Sequence, residues 1–273
     1  MIEIIIRPKQ VWKLIDIAEI WNFRELLYIF AWRDIKVRYK QTILGILWVI
    51  FQPLVTMVIF TFFFGKMAKI PSGELPYSLF VLCGLVFWNF FSGSLSHASD
   101  SLVANEGIIK KVYFPKVLLP LSAVITGFAD LFINLILLFI FAIFLGITVH
   151  PIGLIIFPLV IFLTSISSMG LGLMLSSFNV KYRDVRYILP FFIQILLFVT
   201  PIIYPLSIVS PTNRIIMAVN PMTSVVEAVR FVFSPTYMLK GELIIVSLIS
   251  SIFIFIFGLW YFRKTEDFFA DIV

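Results

Sequence analysis

Residues 117–146 read VLLPLSAVITGFADLFINLILLFIFAIFLG and contain one ionisable side chain, Asp130. About 20 mostly apolar residues suffice for a helix to cross the hydrocarbon core of a bilayer, so this run is long enough to span it. Five further apolar runs flank it, at 42–64, 77–98, 152–178, 187–206 and 243–262. Each is bounded by proline, glycine or charged residues, which punctuate helices. The sequence therefore predicts an all-α polytopic membrane protein with six transmembrane helices.

The composition excludes a water-soluble protein. Of the 273 residues, 61% are hydrophobic and 13% are charged, which is about half the charged fraction of a soluble domain. The single cysteine, Cys83, lies in an apolar run, so neither an internal disulfide nor a cysteine metal site is expected. We expect one transmembrane domain over residues 1–273, made of a cytoplasmic N-terminal segment (1–41), a six-helix membrane region (42–262) and a cytoplasmic tail (263–273).

The positive charge is distributed by side of the membrane. Sixteen of the 21 Lys and Arg residues lie in the N-terminal segment, the loops after the second and fourth spans, and the tail. Because loops rich in Lys and Arg stay in the cytoplasm, both termini are predicted to be cytoplasmic. The net charge of +6 is then explained by topology, and no nucleic-acid partner is expected.

Residues 24–40 are predicted to form an amphipathic helix at the cytoplasmic interface. Its apolar face would carry Tyr28, Ala31, Trp32, Ile35 and Tyr39, and its opposite face Arg33, Lys36 and Lys40. The helix is either a simple anchor before the first span or, with Trp32 and Tyr39 near the start of that span, the lining of a cytoplasmic entrance.

The loop between the second and third spans mixes charged, aliphatic and aromatic residues. It contains Asn105, Glu106, Gly107, Ile108, Ile109, Lys110, Lys111, Val112, Tyr113, Phe114 and Pro115. Exposed apolar groups in such a short loop indicate a surface that docks on another protein. The alternative is that Tyr113 and Phe114 rest at the level of the lipid headgroups.

The outer segment 207–242 is apolar but interrupted by prolines. Asn220 and Pro221 are predicted to be the cap and first residue of a helix, with Met222 on its apolar face and Glu227 and Arg230 on its polar face. At about 13 residues the helix is too short to span, so it lies at the outer interface or enters the membrane and returns. We interpret this segment as a lid.

Chemical motifs are sparse. Asp130 is the intramembrane ionisable residue, with Thr126 and Asn134 one turn away on either side, so it is either a proton or substrate site or part of a polar packing cluster that satisfies it locally. A phosphate-binding loop, a nucleophile elbow and a metal signature are all missing from the sequence. Energy for uphill transport would therefore come from another polypeptide.

The aromatic content is high, with 31 Phe among the 273 residues. Most of these rings are expected to face lipid or to pack between helices. Aromatic faces also bind the apolar faces of sugars. The candidates for a channel lining are Trp48, Phe51, Trp88, Phe91, Phe192 and Phe198.

Several motifs resemble those of a known family. The run Arg33 to Thr42 (RDIKVRYKQT), followed by Leu44-Gly45, Trp48 and Pro53-Leu54, is similar to the opening signature of the permease subunits of type-2 ABC exporters, in particular those that export O-antigen, capsular polysaccharide and teichoic acid. The resemblance continues in three short motifs, Lys110 to Lys116 (KKVYFPK), Asn179 to Val185 (NVKYRDV) and Asn220 to Met222 (NPM).

The resemblance implies a homodimer around a channel, with two copies of a separate ATPase subunit that binds ATP and Mg. The permease itself would be no enzyme and bind no cofactor, and it would move lipid-linked polysaccharide across the bacterial inner membrane. The implied ATPase-coupling residues are Asn105, Glu106, Gly107, Ile109, Lys110, Lys111, Tyr113, Phe114 and Pro115. The N-terminal helix would share this surface and hold the entrance residues Trp32, Arg33, Arg38 and Tyr39, and the outer gate would contain Asn220, Pro221, Met222, Glu227 and Arg230.

Three other functions are weighed against this one. A type-2 exporter of a small hydrophobic compound or lipid shares the same architecture. A proton-coupled carrier would depend on Asp130. A membrane-embedded glycosyltransferase or ligase would need an outer carboxylate, for which the candidates are Glu74, Glu227 and Glu242.

Overall fold

The computed structural model describes residues 17–40, 45–182, 184–234, 239–266 and 269. The first part of the predicted N-terminal segment, the start of the first span at 42–44 and most of the tail lie outside the described residues. Within them the chain forms α1 (Ile17–Asn22), α2 (Arg24–Lys40), α3 (Gly45–Phe60), α4 (Tyr77–Ala104), α5 (Glu106–Ile109), α6 (Leu118–Phe144), α7 (Gly153–Lys181), α8 (Val185–Val199), α9 (Pro211–Ala218), α10 (Pro221–Phe233) and α11 (Gly241–Thr265).

Five helical segments are long and apolar enough to cross a membrane. They are Gly45–Met67, which joins α3 to a π-helical turn, and Tyr77–Ala104, Leu118–Phe144, Ile155–Lys181 and Gly241–Thr265. Their positions follow five of the six predicted spans. The predicted all-α polytopic membrane fold is therefore confirmed.

The fifth predicted span, 187–206, is wrong at its outer end. Helix α8 stops at Val199, because Thr200 precedes a proline and takes an extended conformation with ψ of 135°. Its 15 residues reach about 22 Å at 1.5 Å per residue, less than the hydrocarbon thickness of about 30 Å. The chain then turns through residues 200–205 and re-enters helix at Pro211.

Helices α9 and α10 form a pair bent by 108°. The side chain of Asn220 accepts a hydrogen bond from the backbone N–H of Met222 at 3.1 Å, and Pro221 is the first helical residue, as the sequence predicted. Nearly every side chain of α10 is buried, because the helix packs against α4, α7 and α11. It is enclosed by the bundle and does not lie flat on the outer surface.

The centre of the bundle is α4, which packs against α6 and α7, while α11 covers the far side of α7. The crossing of α7 and α11 depends on glycine. A Cβ atom on Gly258 would lie 2.0 Å from the carbonyl oxygen of Gly170, and one on Gly170 would lie 2.6 Å from Cα of Phe255. Since the obstructing atoms are backbone atoms, only glycine permits this approach.

The bundle has two distinct ends. At one, which we call the basic end, the 105–116 loop contacts α1 through Tyr113 and Glu19, and meets the end of α11 through Lys116 and Glu266. At the opposite end the 68–76 loop meets the end of α10, where the Ser234 hydroxyl lies 3.5 Å from the Glu74 carboxylate. The 105–116 loop thus lies at the basic end, and the end of α10 lies at the opposite end.

Helix α2 lies where the sequence predicts a helix, and the residues of its predicted apolar face differ in exposure. Phe30 and Ala31 are its buried residues, whereas Tyr28 and Trp32 are 65% and 53% exposed. Helix α2 packs on α6, and its Phe30 ring contacts Phe114. Because the apolar face of an interface helix is turned to lipid, the exposure of Tyr28 and Trp32 agrees with an amphipathic interface helix, which stays a prediction.

Candidate functional site

The 105–116 loop at the basic end is anchored at two positions and projects between them. Ile109 closes α5 and is buried, and Phe114 is buried as well. Between them Val112 and Tyr113 are 56% and 69% exposed. The buried residues hold the two sides of the loop, and an apolar tip is left on the surface, as expected of a docking element.

Other elements support this loop from two sides. The ring of Phe114 packs against Phe30 of α2 with centroids 5.5 Å apart. The Tyr113 hydroxyl donates to the Glu19 carboxylate of α1 at 3.2 Å. The loop is therefore in direct contact with both N-terminal helices, α1 and α2.

A groove of about 400 Å³ opens beside the loop. It is lined by Glu19, the segment from Ile109 to Lys116, Arg263 and Glu266. Lys110 pairs with Glu106 one turn earlier at 2.6 Å. Among the described residues, no carboxylate pairs with the exposed Lys111. The groove therefore presents a cation that a partner is free to bind.

The predicted entrance residues divide into two groups. Trp32 is exposed and stacks on Tyr28 with centroids 6.4 Å apart, and Arg33 pairs with the adjacent Asp34 at 2.8 Å. Arg38 and Tyr39 instead point at α6. The role of these four residues at a cytoplasmic entrance stays a prediction.

Asp130 is bound by α2 and not by its own helix. Arg38 donates to one carboxylate oxygen and forms an ion pair with it, while the Tyr39 hydroxyl donates to the other oxygen. Burial and the hydrogen bond to Asp130 raise the pKa of the Tyr39 phenol, so it remains a protonated donor at neutral pH. Asp130 is thus an acceptor that joins α2 to α6 in this conformation.

The predicted local partners of Asp130 do not satisfy it. The Thr126 hydroxyl donates to the Ser122 carbonyl of its own helix at 2.8 Å. Asn134 is buried, and its side-chain oxygen has no partner among the described residues. The carboxylate is hydrogen-bonded as the packing hypothesis required, but by residues remote in sequence.

The six aromatic residues predicted to line a channel differ in exposure. Trp88 and Phe91 are 4% and 2% exposed and pack on each other inside the chain. Trp48, Phe51, Phe192 and Phe198 are exposed on α3 and α8. Only these four present a ring to a second subunit, to lipid or to a channel, and their role as a lining stays a prediction.

The predicted gate residues Glu227 and Arg230 are buried at the opposite end. Arg230 is fully buried and pairs with Glu227 at 3.0 Å. It also donates to the carbonyls of Phe80 at 3.2 Å and Ile202 at 2.8 Å, and its guanidinium carbon lies 3.4 Å from the centroid of the Phe80 ring. Arg230 therefore ties α10 to α4 and to the 200–205 turn.

Two further bonds hold that turn. The Tyr77 hydroxyl donates to the Ile203 carbonyl at 2.6 Å, and the Asn220 amide donates to the Thr200 hydroxyl at 2.8 Å. Together with the bonds of Arg230, these contacts join α10, α4 and the turn in this conformation.

Neither hydrolytic nor metal chemistry is indicated at the opposite end. Glu227 is paired with Arg230, and Glu242 lines a second pocket with Arg214 and Lys240. Among the described residues, no group of three His, Cys, Asp or Glu side chains is placed to hold a metal ion. The carboxylates considered for a transferase do not converge.

Sequence reasoning missed several residues that shape the basic end. Phe30, Glu266 and Phe269 are buried there, yet none was assigned a role from the sequence. One signal was present in the sequence. The spacing of Phe262, Glu266 and Phe269 continues one helix face beyond the last apolar run and so indicates a buried face there. The partner of that face could not be read from the pattern.

Together these features define a multi-pass α-helical membrane protein with an exposed apolar loop tip at one end and a buried helix, α10, at the other. Comparison with known proteins gives the family. The chain belongs to the ABC-2 type transporter family, which it matches over residues 25–234.

Individual relatives are similar over most of the chain. It is 29% identical over 250 residues to the O-antigen export system permease protein RfbA of Klebsiella pneumoniae, covering 91% of this chain and 95% of that protein. The RfbA protein of Myxococcus xanthus is 28% identical over 221 residues, with 80% and 83% covered. The polysialic acid transport protein KpsM of Escherichia coli is 25% identical over 243 residues, with 86% and 91% covered.

Proposed function

We propose that this chain is the permease subunit of an ATP-driven exporter that moves a lipid-linked, O-antigen-like polysaccharide out of the cytoplasm across the bacterial inner membrane. The observation that carries the proposal is the match to O-antigen export permeases over nine-tenths of both chains. The match to a polysialic acid transport protein supports a polysaccharide as the cargo class.

ATP hydrolysis would take place on a separate nucleotide-binding subunit, to which ATP and Mg bind. The ABC-2 family is defined as a transporter membrane component, and this sequence has no phosphate-binding loop. Two copies of that subunit and two copies of this chain would form the complete transporter. The permease would contribute the membrane path and no catalytic residue.

The basic end would face the cytoplasm and the nucleotide-binding subunit. The charge rule for membrane loops supports this orientation, because loops rich in Lys and Arg stay in the cytoplasm. Both termini would then lie on the cytoplasmic side. The exposed apolar tip at Val112 and Tyr113, next to the free Lys111, would make contact with the partner.

The path for the polymer would run between two copies of this chain. Helices α3 and α8 expose apolar and aromatic side chains along their length, and each packs on the bundle through one side. A second copy would cover part of this surface, and the exposed rings would contact the sugar faces. The α9–α10 pair, of which α10 is enclosed by the bundle, would form the outer gate.

A deletion experiment tests the proposal. Removal of the gene from the source organism should leave the polymer and its lipid carrier accumulated inside the cell, as seen by fractionation and immunoblotting, and a plasmid copy should restore the polymer to the surface. Normal surface polymer in the deletion strain would contradict the proposal. Polymer missing both inside and outside would indicate a role in synthesis instead of export.

A further inference from the structure

The end of α11 and Phe269 contact the 105–116 loop. We call Arg263, Glu266 and Phe269 the C-terminal bracket. Glu266 is only 3% exposed, and a buried carboxylate is stable only when it is paired. One of its oxygens lies 2.7 Å from Arg263, and the other accepts the backbone N–H of Lys116 at 3.3 Å.

The bracket holds Lys116 by its side chain as well as by its backbone. The Lys116 ammonium donates to the backbone carbonyl of Glu266 at 2.9 Å and lies 5.7 Å from the centre of the Phe269 ring. Phe269 is itself buried and packs edge-on against Phe262 at 5.3 Å. The residue that ends the docking loop is therefore fixed on several sides.

Lys116 is continuous with the buried part of the loop. Phe114 and Pro115 are buried and precede Lys116 directly, so the chain after Tyr113 is held at three consecutive residues. A binding element that is already ordered loses less conformational entropy when its partner arrives. The bracket thus pre-orders the part of the loop that is exposed for docking.

The groove beside the loop is lined by more cationic than anionic side chains. Its ionisable lining consists of four cations and two anions, namely Lys110, Lys111, Lys116 and Arg263 with Glu19 and Glu266. Complementary charge favours a partner segment that carries carboxylates. Two of these six groups, Arg263 and Glu266, belong to the bracket, which therefore forms one wall of the groove.

We infer that the C-terminal bracket is part of the docking surface, where it orders the 110–116 loop and walls a groove that receives an acidic segment of the nucleotide-binding subunit. The inference rests on the proposed function. It assigns Glu266 as a positioning residue, which acts through Lys116, and it gives the last helix of the chain a role in partner recognition.

The test compares Glu266→Ala with the matched control Lys264→Met. Lys264 lies in the same turn, but its ammonium is over the Trp260 ring at 5.2 Å and it does not line the groove. Each full-length variant is purified in detergent, and two quantities are measured. One is hydrogen exchange of the loop amides in the chain alone, and the other is the affinity for the purified nucleotide-binding subunit of the same transporter.

We expect Glu266→Ala to speed exchange at residues 110–118 and to weaken binding about tenfold, a loss of about 1.4 kcal/mol, while Lys264→Met changes neither. Phe269→Leu, which keeps an apolar side chain but removes the ring under Lys116, should act in the same direction and serves if Glu266→Ala does not fold. Unchanged exchange or unchanged affinity in both bracket variants would overturn the inference.

The charge reversal Lys111→Glu separates this inference from the proposed function. If Lys111→Glu abolishes binding and the bracket variants bind like wild type, the bracket has no docking role and the proposed function stands. If the wild-type chain does not bind the nucleotide-binding subunit at all, the proposed function itself fails.

Discussion

Arg38 of α2 and Asp130 of α6 form an ion pair between residues 92 positions apart in the sequence. Tyr39 takes the other carboxylate oxygen, so the N-terminal helix is joined to a membrane span at one charged point. The same helix contacts the docking loop through Phe30 and Phe114. Helix α2 thus contacts both α6 of the membrane bundle and the loop proposed to bind the nucleotide-binding subunit.

The pairing of Asp130 predicts a pattern of mutant effects that a proton carrier would not give. Arg38→Met alone leaves a partly buried carboxylate without its cation and should cost about 1.5–3 kcal/mol, seen as a lower melting temperature in detergent. The double variant Arg38→Met/Asp130→Asn removes both charges and should recover part of the stability and of the transport activity. A double variant that is stable but wholly inactive would favour proton coupling through Asp130.

The glycine contact between α7 and α11 predicts strong sensitivity to a single methyl group. Gly258→Ala should destabilise the chain by about 3 kcal/mol or more, because overpacking against a fixed backbone is not relieved by side-chain movement. Gly93→Ala is the control, since a Cβ there meets nothing within 4 Å. Melting temperatures by intrinsic fluorescence in detergent measure both. Equal behaviour of the two variants would show that the helices do not cross at Gly170 and Gly258.

The buried Arg230 predicts a non-additive pair. Arg230→Met leaves Glu227 buried without its cation and should cost about 3–5 kcal/mol, whereas Arg230→Met/Glu227→Gln should cost less than the single change. Arg214→Met serves as a control, because Arg214 lies on the exposed α9 and bonds to the carbonyls of Ser207 and Val209 just before that helix. Thermal unfolding of the three variants in detergent checks this. A double variant no more stable than Arg230→Met would contradict the assigned pairing.

The two lysines at the loop tip are expected to differ. Lys110 is engaged with Glu106, whereas Lys111 is exposed and faces the groove, so Lys111→Glu should reduce co-purification of the nucleotide-binding subunit by about tenfold or more. Lys110→Met should have a smaller effect, because it removes a surface pair worth at most about 1 kcal/mol. Equal recruitment by Lys111→Glu and wild type would show that this loop does not contact the partner.

The spans were predictable from sequence because bilayer thickness imposes a length on each apolar run. The run 117–146 gave α6 to within two residues at each end, and Asn220 gave the start of α10 through a local capping bond. The end of α8 was also local, since Pro201 excludes helix at Thr200. Hydropathy alone extended that span, because the buried 200–205 turn is as apolar as a helix.

The contacts of the candidate sites could not be predicted, because their partners are distant in sequence. Arg230 binds the carbonyl of Phe80, and Lys116 binds Glu266, each 150 positions away. Hydrophobic periodicity indicates which face of a helix is buried but not what covers it. For this reason the contact of Tyr39 with Asp130 and that of Arg230 with Phe80 could not be read from the faces of α2 and α10.

Transport in a purified system tests whether this chain and its nucleotide-binding subunit export the polymer with ATP. The chain is reconstituted into liposomes with its nucleotide-binding subunit, the lipid-linked polymer is supplied on the side of that subunit, and polymer on the other side is measured with a specific glycosidase. We expect translocation that requires Mg-ATP and is lost in Lys111→Glu liposomes. Translocation driven by a proton gradient without ATP, or none with ATP and an intact complex, would contradict it.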